Sequence, residues 1–172
     1  MKRRLVLFLV AGVLAGCGGE KPAVRTAEPF HIASVEAVGP LPEGVPEWQL
    51  ADLQQHTQML AGYAPETGNP RLLRLRILKF HQKNPGMSFL VGDSNNMMVS
   101  GEVLYPDGGG SLSTFTVRVS TDGYVNGIIG AAIAANTQRH AAARKVNSEA
   151  ASAVLEKIYG TKAWRAWSRR RR

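Results

Sequence analysis

Apolar and polar side chains alternate with a period of two along three stretches in the middle of this chain. From Arg71 to Phe80, Leu73, Leu75 and Ile77 point one way while Arg74 and Arg76 point the other, which is the signature of a half-buried strand. Met97, Val99, Val103 and Tyr105 share one face of a second strand, with Gly101 among them as a bulge or a point of close contact. Phe115, Val117 and Val119 alternate with Thr114, Thr116 and Arg118 in a third. The connections are short and rich in turn formers, His81–Gly86 and Pro106-Asp107-Gly108-Gly109-Gly110, so the three strands predict an antiparallel meander.

Before the meander, Phe30 to Val38 reads as a strand broken by Gly39-Pro40-Leu41-Pro42. A helix of about four turns follows between Pro46 and Gly62, with Trp48, Ala51, Leu53, Met59 and Leu60 as an imperfect apolar face. Glu47 suits its positive N-terminus. After the meander, Gly123–Ala135 (GYVNGIIGAAIAA) is built of small and apolar residues. The chain then turns helical to Tyr159, with Ala142, Val146, Ala150, Ala153 and Ile158 at near-helical spacing and Gly160 as a C-terminal cap. The order β-α-β-β-β-α predicts an α/β (α+β) fold, a two-layer sandwich whose mixed sheet carries helices on one face.

The N-terminus follows a different pattern. Lys2, Arg3 and Arg4 precede an unbroken apolar run, Leu5–Leu14, too short to span a bilayer and the right length for a signal-peptide core. Leu14-Ala15-Gly16-Cys17 follows, and this resembles the lipobox of bacterial lipoproteins. The resemblance implies cleavage before Cys17, a diacylglyceryl group on its thiol and an acyl chain, such as palmitate, on its amine. Two or more chains anchor stably where one does not. Cys17 is the only cysteine, and acylation explains both its isolation and its position. An aspartate after the cysteine commonly retains such lipoproteins at the inner membrane. Gly18 therefore implies the outer membrane, facing the periplasm. Gly18–Pro29, with two glycines and two prolines, reads as a tether reaching at most roughly 40 Å. The organisation expected is a signal peptide at 1–16, a lipidated tether at 17–29, a periplasmic α/β domain at 30–160 and a basic-aromatic tail at 161–172.

Charge changes the picture less than it first suggests. The chain of 172 residues has a formal net charge of +8. Removing Lys2, Arg3 and Arg4 from the 21 basic side chains leaves 18 against 13 acidic, a net of +5, of which Arg169–Arg172 supply four. The body is close to neutral, which argues against a nucleic-acid-binding domain.

The element order, the Arg71–Phe80 strand, the Met97–Ser120 meander, the glycines of Gly123–Gly130 and the alanine-rich closing helix resemble a group of small bacterial lipoproteins of uncharacterised function. Their periplasmic domain is similar to the N-terminal domain of TolB and to that of the curli secretion lipoprotein. The resemblance implies an accessory binding or assembly module of the cell envelope with an envelope protein partner, and it brings no catalytic residues and no cofactor.

Phe89-Leu90-Val91-Gly92-Asp93-Ser94 is similar to the first block of GDS-type esterases, with Ser94 as nucleophile. That chemistry needs a base, which in the family lies in a C-terminal Asp-x-x-His. The only later histidine is His140, and Thr137 stands where the aspartate should. His31, His56, His81 and His140 fall on different elements with no metal-ligand spacing, so no metal is expected. Gly123, Gly127 and Gly130 have the small-residue spacing of a close helix contact, a candidate for self-association or partner contact. Trp164, Arg165, Trp167, Arg169, Arg170, Arg171 and Arg172 combine indoles with bidentate phosphate binders, a candidate contact for anionic headgroups.

Overall fold

The computed structural model describes residues 22–82, 94–121 and 131–170, with residues 131–139 described by backbone alone. The chain runs through β1 (Phe30–Ala37), α1 (Glu47–Ala61), β2 (Asn69–His81), β3 (Asn95–Leu104), β4 (Ser111–Thr121), α2 (Ala131–Tyr159) and α3 (Thr161–Arg169). The strands form one sheet in the order β1-β2-β3-β4. β1 and β2 are parallel, as the intervening helix requires, and β2–β3 and β3–β4 are the expected antiparallel meander. The expected two-layer α+β sandwich with a mixed sheet is the fold observed.

The alternation of β2 puts Leu73, Leu75 and Ile77 under the helices, beside Met97 and Val99 of β3 and Phe115 and Val117 of β4. Gly101 is a close-contact point rather than a bulge: it faces Phe115, and a Cβ there would lie 2.6 Å from the ring's Cε2. The ring occupies the space that a side chain at 101 would fill. The register slips instead between Val103 and Leu104, so Leu104 turns inward and Tyr105, expected on the core face, is exposed. The opposite face of the sheet is polar. Across it Arg74 pairs with Glu36 (Nη2–Oε1 2.9 Å) and reaches Glu102 (3.8 Å).

The helices present faces that an apolar count misses. α1 buries Gln49, Leu53, Thr57 and Ala61, spaced by four, while Ala51 and Met59 face outward. Thr57 donates its hydroxyl to the Leu53 carbonyl (2.8 Å), so it is buried without an unmet donor. α2 buries Ala143, Val146, Asn147, Ala150, Ala151, Val154, Leu155 and Ile158, a wider stripe than the five residues expected, with Ala142 and Ala153 at its margins. Asn147 is wholly buried between the two helices and donates to the Gln49 carbonyl (3.1 Å) and to Asp52 Oδ2 (2.6 Å). Asp52 is also reached by His56, whose Nδ1 donates to its carbonyl (2.9 Å).

Two boundaries differ from those expected. The tether does not run free to Pro29: Val24 joins the core, because an apolar side chain beside the sheet gains more from burial than from extension into water. The segment after Gly160 is not a bare tail but helix α3, seated on the domain by Trp164.

Candidate functional site

Both departures meet at one corner of the domain. The Ala23 amide donates to the carbonyl of Lys157 in the last turn of α2 (2.7 Å), and Ser113 Oγ on β4 donates to the Ala23 carbonyl (2.9 Å). Pro22 rests against Gly160, where a Cβ would come within 3.2 Å of its Cγ. Gly160 has φ of 84°, a conformation that glycine adopts without steric cost. Its amide donates to Glu156 (2.8 Å) and its carbonyl accepts from Trp164 (3.1 Å), so one residue closes α2 and opens α3. The first described residues of the chain therefore lie beside the junction that launches the C-terminal helix.

The sides of α3 are chemically distinct. Trp164 is 2% exposed and donates Nε1–H to Ser152 Oγ (3.0 Å). Trp167 is half-buried edge-on against Tyr159, with ring centroids 5.2 Å apart. Lys162, Arg165, Ala166, Arg169 and Arg170 are exposed, at spacings of three and four that place them along one stripe. Arg165 Nη2 lies 3.8 Å from Glu156 Oε1, a weak surface pair. A cavity of about 310 Å³ opens between Gly62–Glu66 and the Trp167–Arg170 end of the helix.

This corrects the expected anionic-surface contact in one respect. Trp164 is not available to a membrane interface: a large apolar ring whose only donor is satisfied belongs inside, and here it fastens α3 to α2. Arg165, Arg169 and Arg170 are at the surface as expected, and Trp167 is partly so. Lys162 was missed. Its signal was present in the sequence, because cations at 162, 165 and 169 share a helical face opposite tryptophans at 164 and 167. The arrangement can attract phosphate-bearing or carboxylate-bearing surfaces electrostatically; it offers no reacting group.

The other candidates fall elsewhere. Cys17, Gly123, Gly127, Gly130, Arg171 and Arg172 lie outside the described residues. Ser94 Oγ is 3.1 Å from Ser120 Oγ and accepts from Asn96 Nδ2 (3.2 Å), and neither neighbour is a base. His140 stacks obliquely on Trp48, with centroids 5.0 Å apart. Among the described residues no group of three or more His, Cys, Asp or Glu side chains gathers as a metal site. No helix among them is long and apolar enough to cross a membrane. On the polar sheet face Arg76, Lys79 and Arg118 form no ion pair with another described residue and line hollows of about 410 and 470 Å³.

No family model matches the chain, and no curated protein matches it. Its fold is similar to solved structures at low identity. A Xanthomonas campestris protein of the DUF330 family is 9% identical with a TM-score of 0.47, over 84% of this chain and 92% of that one. A minor lipoprotein from Acinetobacter baumannii is 14% identical with a TM-score of 0.43, over 75% and 90%. A PelC dodecamer from Paraburkholderia phytofirmans is 10% identical with a TM-score of 0.39, over 82% and 93%. At these distances the likeness concerns the course of the backbone, and no activity is carried across.

Proposed function

We propose that this chain is a lipid-anchored envelope protein, seated on the periplasmic side of the outer membrane, whose domain serves as a non-enzymatic binding or assembly module. The domain's kinship with the TolB N-terminal and curli-secretion type belongs to the same reading. The observation that carries it is the corner at Gly160. Cys17 stands five residues before Pro22, so an acylated Cys17 holds this corner within about 18 Å of the bilayer. The cationic stripe of α3 begins at the same corner, next to Pro22. The acyl chains supply attachment. Lys162, Arg165, Arg169 and Arg170 supply orientation, by drawing that side of the domain toward anionic headgroups at roughly 1 kcal/mol per charge.

The test separates the two contributions. The full chain carrying Cys17→Ala is measured against vesicles of neutral lipid and of neutral lipid doped with anionic lipid. Binding to the anionic vesicles alone, weakening as salt rises, is expected. Replacing Lys162, Arg165, Arg169 and Arg170 with glutamine in the same chain should reduce it about tenfold or more. Equal binding by the two chains, or binding indifferent to salt, would remove the orienting role of α3. Loss of membrane attachment in cells on Cys17→Ala tests the anchor independently.

A further inference from the structure

The two edges of the sheet are finished differently. At β1, amides facing away from β2 are taken by side chains: Ile32 by Tyr159 Oη (3.0 Å), Val35 by Gln58 Oε1 (2.8 Å) and Ala37 by Gln54 Oε1 (3.0 Å). Gln58 Nε2 also donates to the Ala33 carbonyl (3.4 Å). That edge is closed to another strand. At β4 the backbone groups facing away from β3 meet no partner among the described residues. Beyond their ladder with β3, Ser113 and Ser120 are hydrogen-bonded through their side chains, Ser113 to the Ala23 carbonyl and Ser120 to Ser94. The strand is 11 residues long, SLSTFTVRVST, with no proline and the single charge of Arg118. Prolines, repeated charges and short length are among the devices that protect a free edge, and β4 has none of these three; the Ala23 segment meets it through the Ser113 side chain.

We propose that β4 pairs antiparallel with β4 of a second copy about a two-fold axis through Thr116, joining two four-stranded sheets into one continuous sheet. The strand is self-complementary in this register. Its midpoint is Thr116, so all of Ser111–Thr121 is matched. Phe115 of one copy lies opposite Val117 of the other, and both residues are on the face that packs under the helices. Arg118 lies opposite Thr114, so no like charges meet across the axis. The axis stands perpendicular to the sheet and keeps both helical layers on one side. Continuity of ladder and core, rather than a new apolar patch, holds the pair together. The pairing is independent of the anchor and of α3.

The experiment uses the full chain in a Cys17→Ala background. Thr116→Cys then carries the only thiol, at an exposed outer-face position where a change should leave the fold intact. The expected result is a dimer by sedimentation, with oxidation linking Thr116→Cys chains in pairs and leaving Glu66→Cys chains, altered on an exposed loop, unlinked. Thr116→Lys sets two ammonium groups opposite each other and should weaken the dimer about tenfold, with the far-UV spectrum unchanged. A chain that stays monomeric as its concentration is raised overturns the proposal. So does equal cross-linking from Glu66→Cys, or a dimer indifferent to Thr116→Lys. An extended segment of another protein found on β4 of a monomeric chain overturns it as well. Should Thr116→Lys fail to fold, the cross-linking comparison decides alone.

Discussion

The Tyr159 hydroxyl accepts the Ile32 amide at 3.0 Å and so ties the last turn of α2 to the outer edge of β1. Phe30 stacks on the same ring at 5.6 Å and Trp167 meets it edge-on. One side chain thus joins the first strand, the long helix and the C-terminal helix.

Burial pushes the Tyr159 pKa above its ordinary 10.0, and the amide hydrogen bond from Ile32 offsets only part of that. Below pH 10 the phenol is protonated in folded and unfolded chains alike, and its contribution to stability is full. Above pH 10 the unfolded chain releases the proton more readily, so that contribution falls as pH rises through the folded-state value. Tyr159→Phe should cost about 1–3 kcal/mol at pH 7, by leaving the Ile32 amide without its acceptor. The gap between variant and wild type should narrow above pH 10. Urea denaturation at neutral and alkaline pH measures both, and a gap constant with pH would contradict the assignment.

Gly101 tests how tightly the meander is filled. Gly101→Ala drives a methyl group into the Phe115 ring, and over-filling of this kind costs about 1–3 kcal/mol. Phe115→Leu placed on top of it should recover part of that loss, giving strong non-additivity in a double-mutant cycle. Additive losses would mean that the ring moves aside freely.

Asn147 tests the polar seam between the helices. Asn147→Ala removes the amide that joins Asp52 Oδ2 and the Gln49 carbonyl across the interface, leaving His56 as the remaining partner of the Asp52 carboxylate, and the expected loss by chemical denaturation is about 1–2 kcal/mol. A loss within experimental error would show that water replaces the amide.

Gly160 tests the corner itself. Gly160→Ala meets both a positive φ and the Pro22 ring, and should cost about 1–2 kcal/mol. Hydrogen exchange at the Ala23 amide, now bonded to Lys157, should accelerate more than exchange in β2. Uniform acceleration would indicate global destabilisation and no specific role for the corner.

Of the candidate site, the arginines could be read from the sequence and their setting could not. Composition shows a run of cations beside two tryptophans. Which indole is buried depends on where α2 offers a hydroxyl, and Ser152 stands twelve residues away in sequence. Asn147 and Gln49 were invisible to an apolar count for the same reason. A buried amide is stable only with a partner, and these partners are separated by 98 residues.

What the sequence by itself determined is the local layer: four strands and the principal helices, their order and the meander's pairing. Period-two alternation and turn residues are properties of neighbouring positions, and each acts over a few residues. The tertiary structure alone decided which polar residues lie inside, that Val24 belongs to the core, that Gly160 joins two helices beside Pro22, and that among the described residues the β1 edge is capped by side chains while the β4 edge meets no backbone partner. Each of these is a contact between distant parts of the chain, whose energy exists only when burial and a hydrogen-bond partner arrive together.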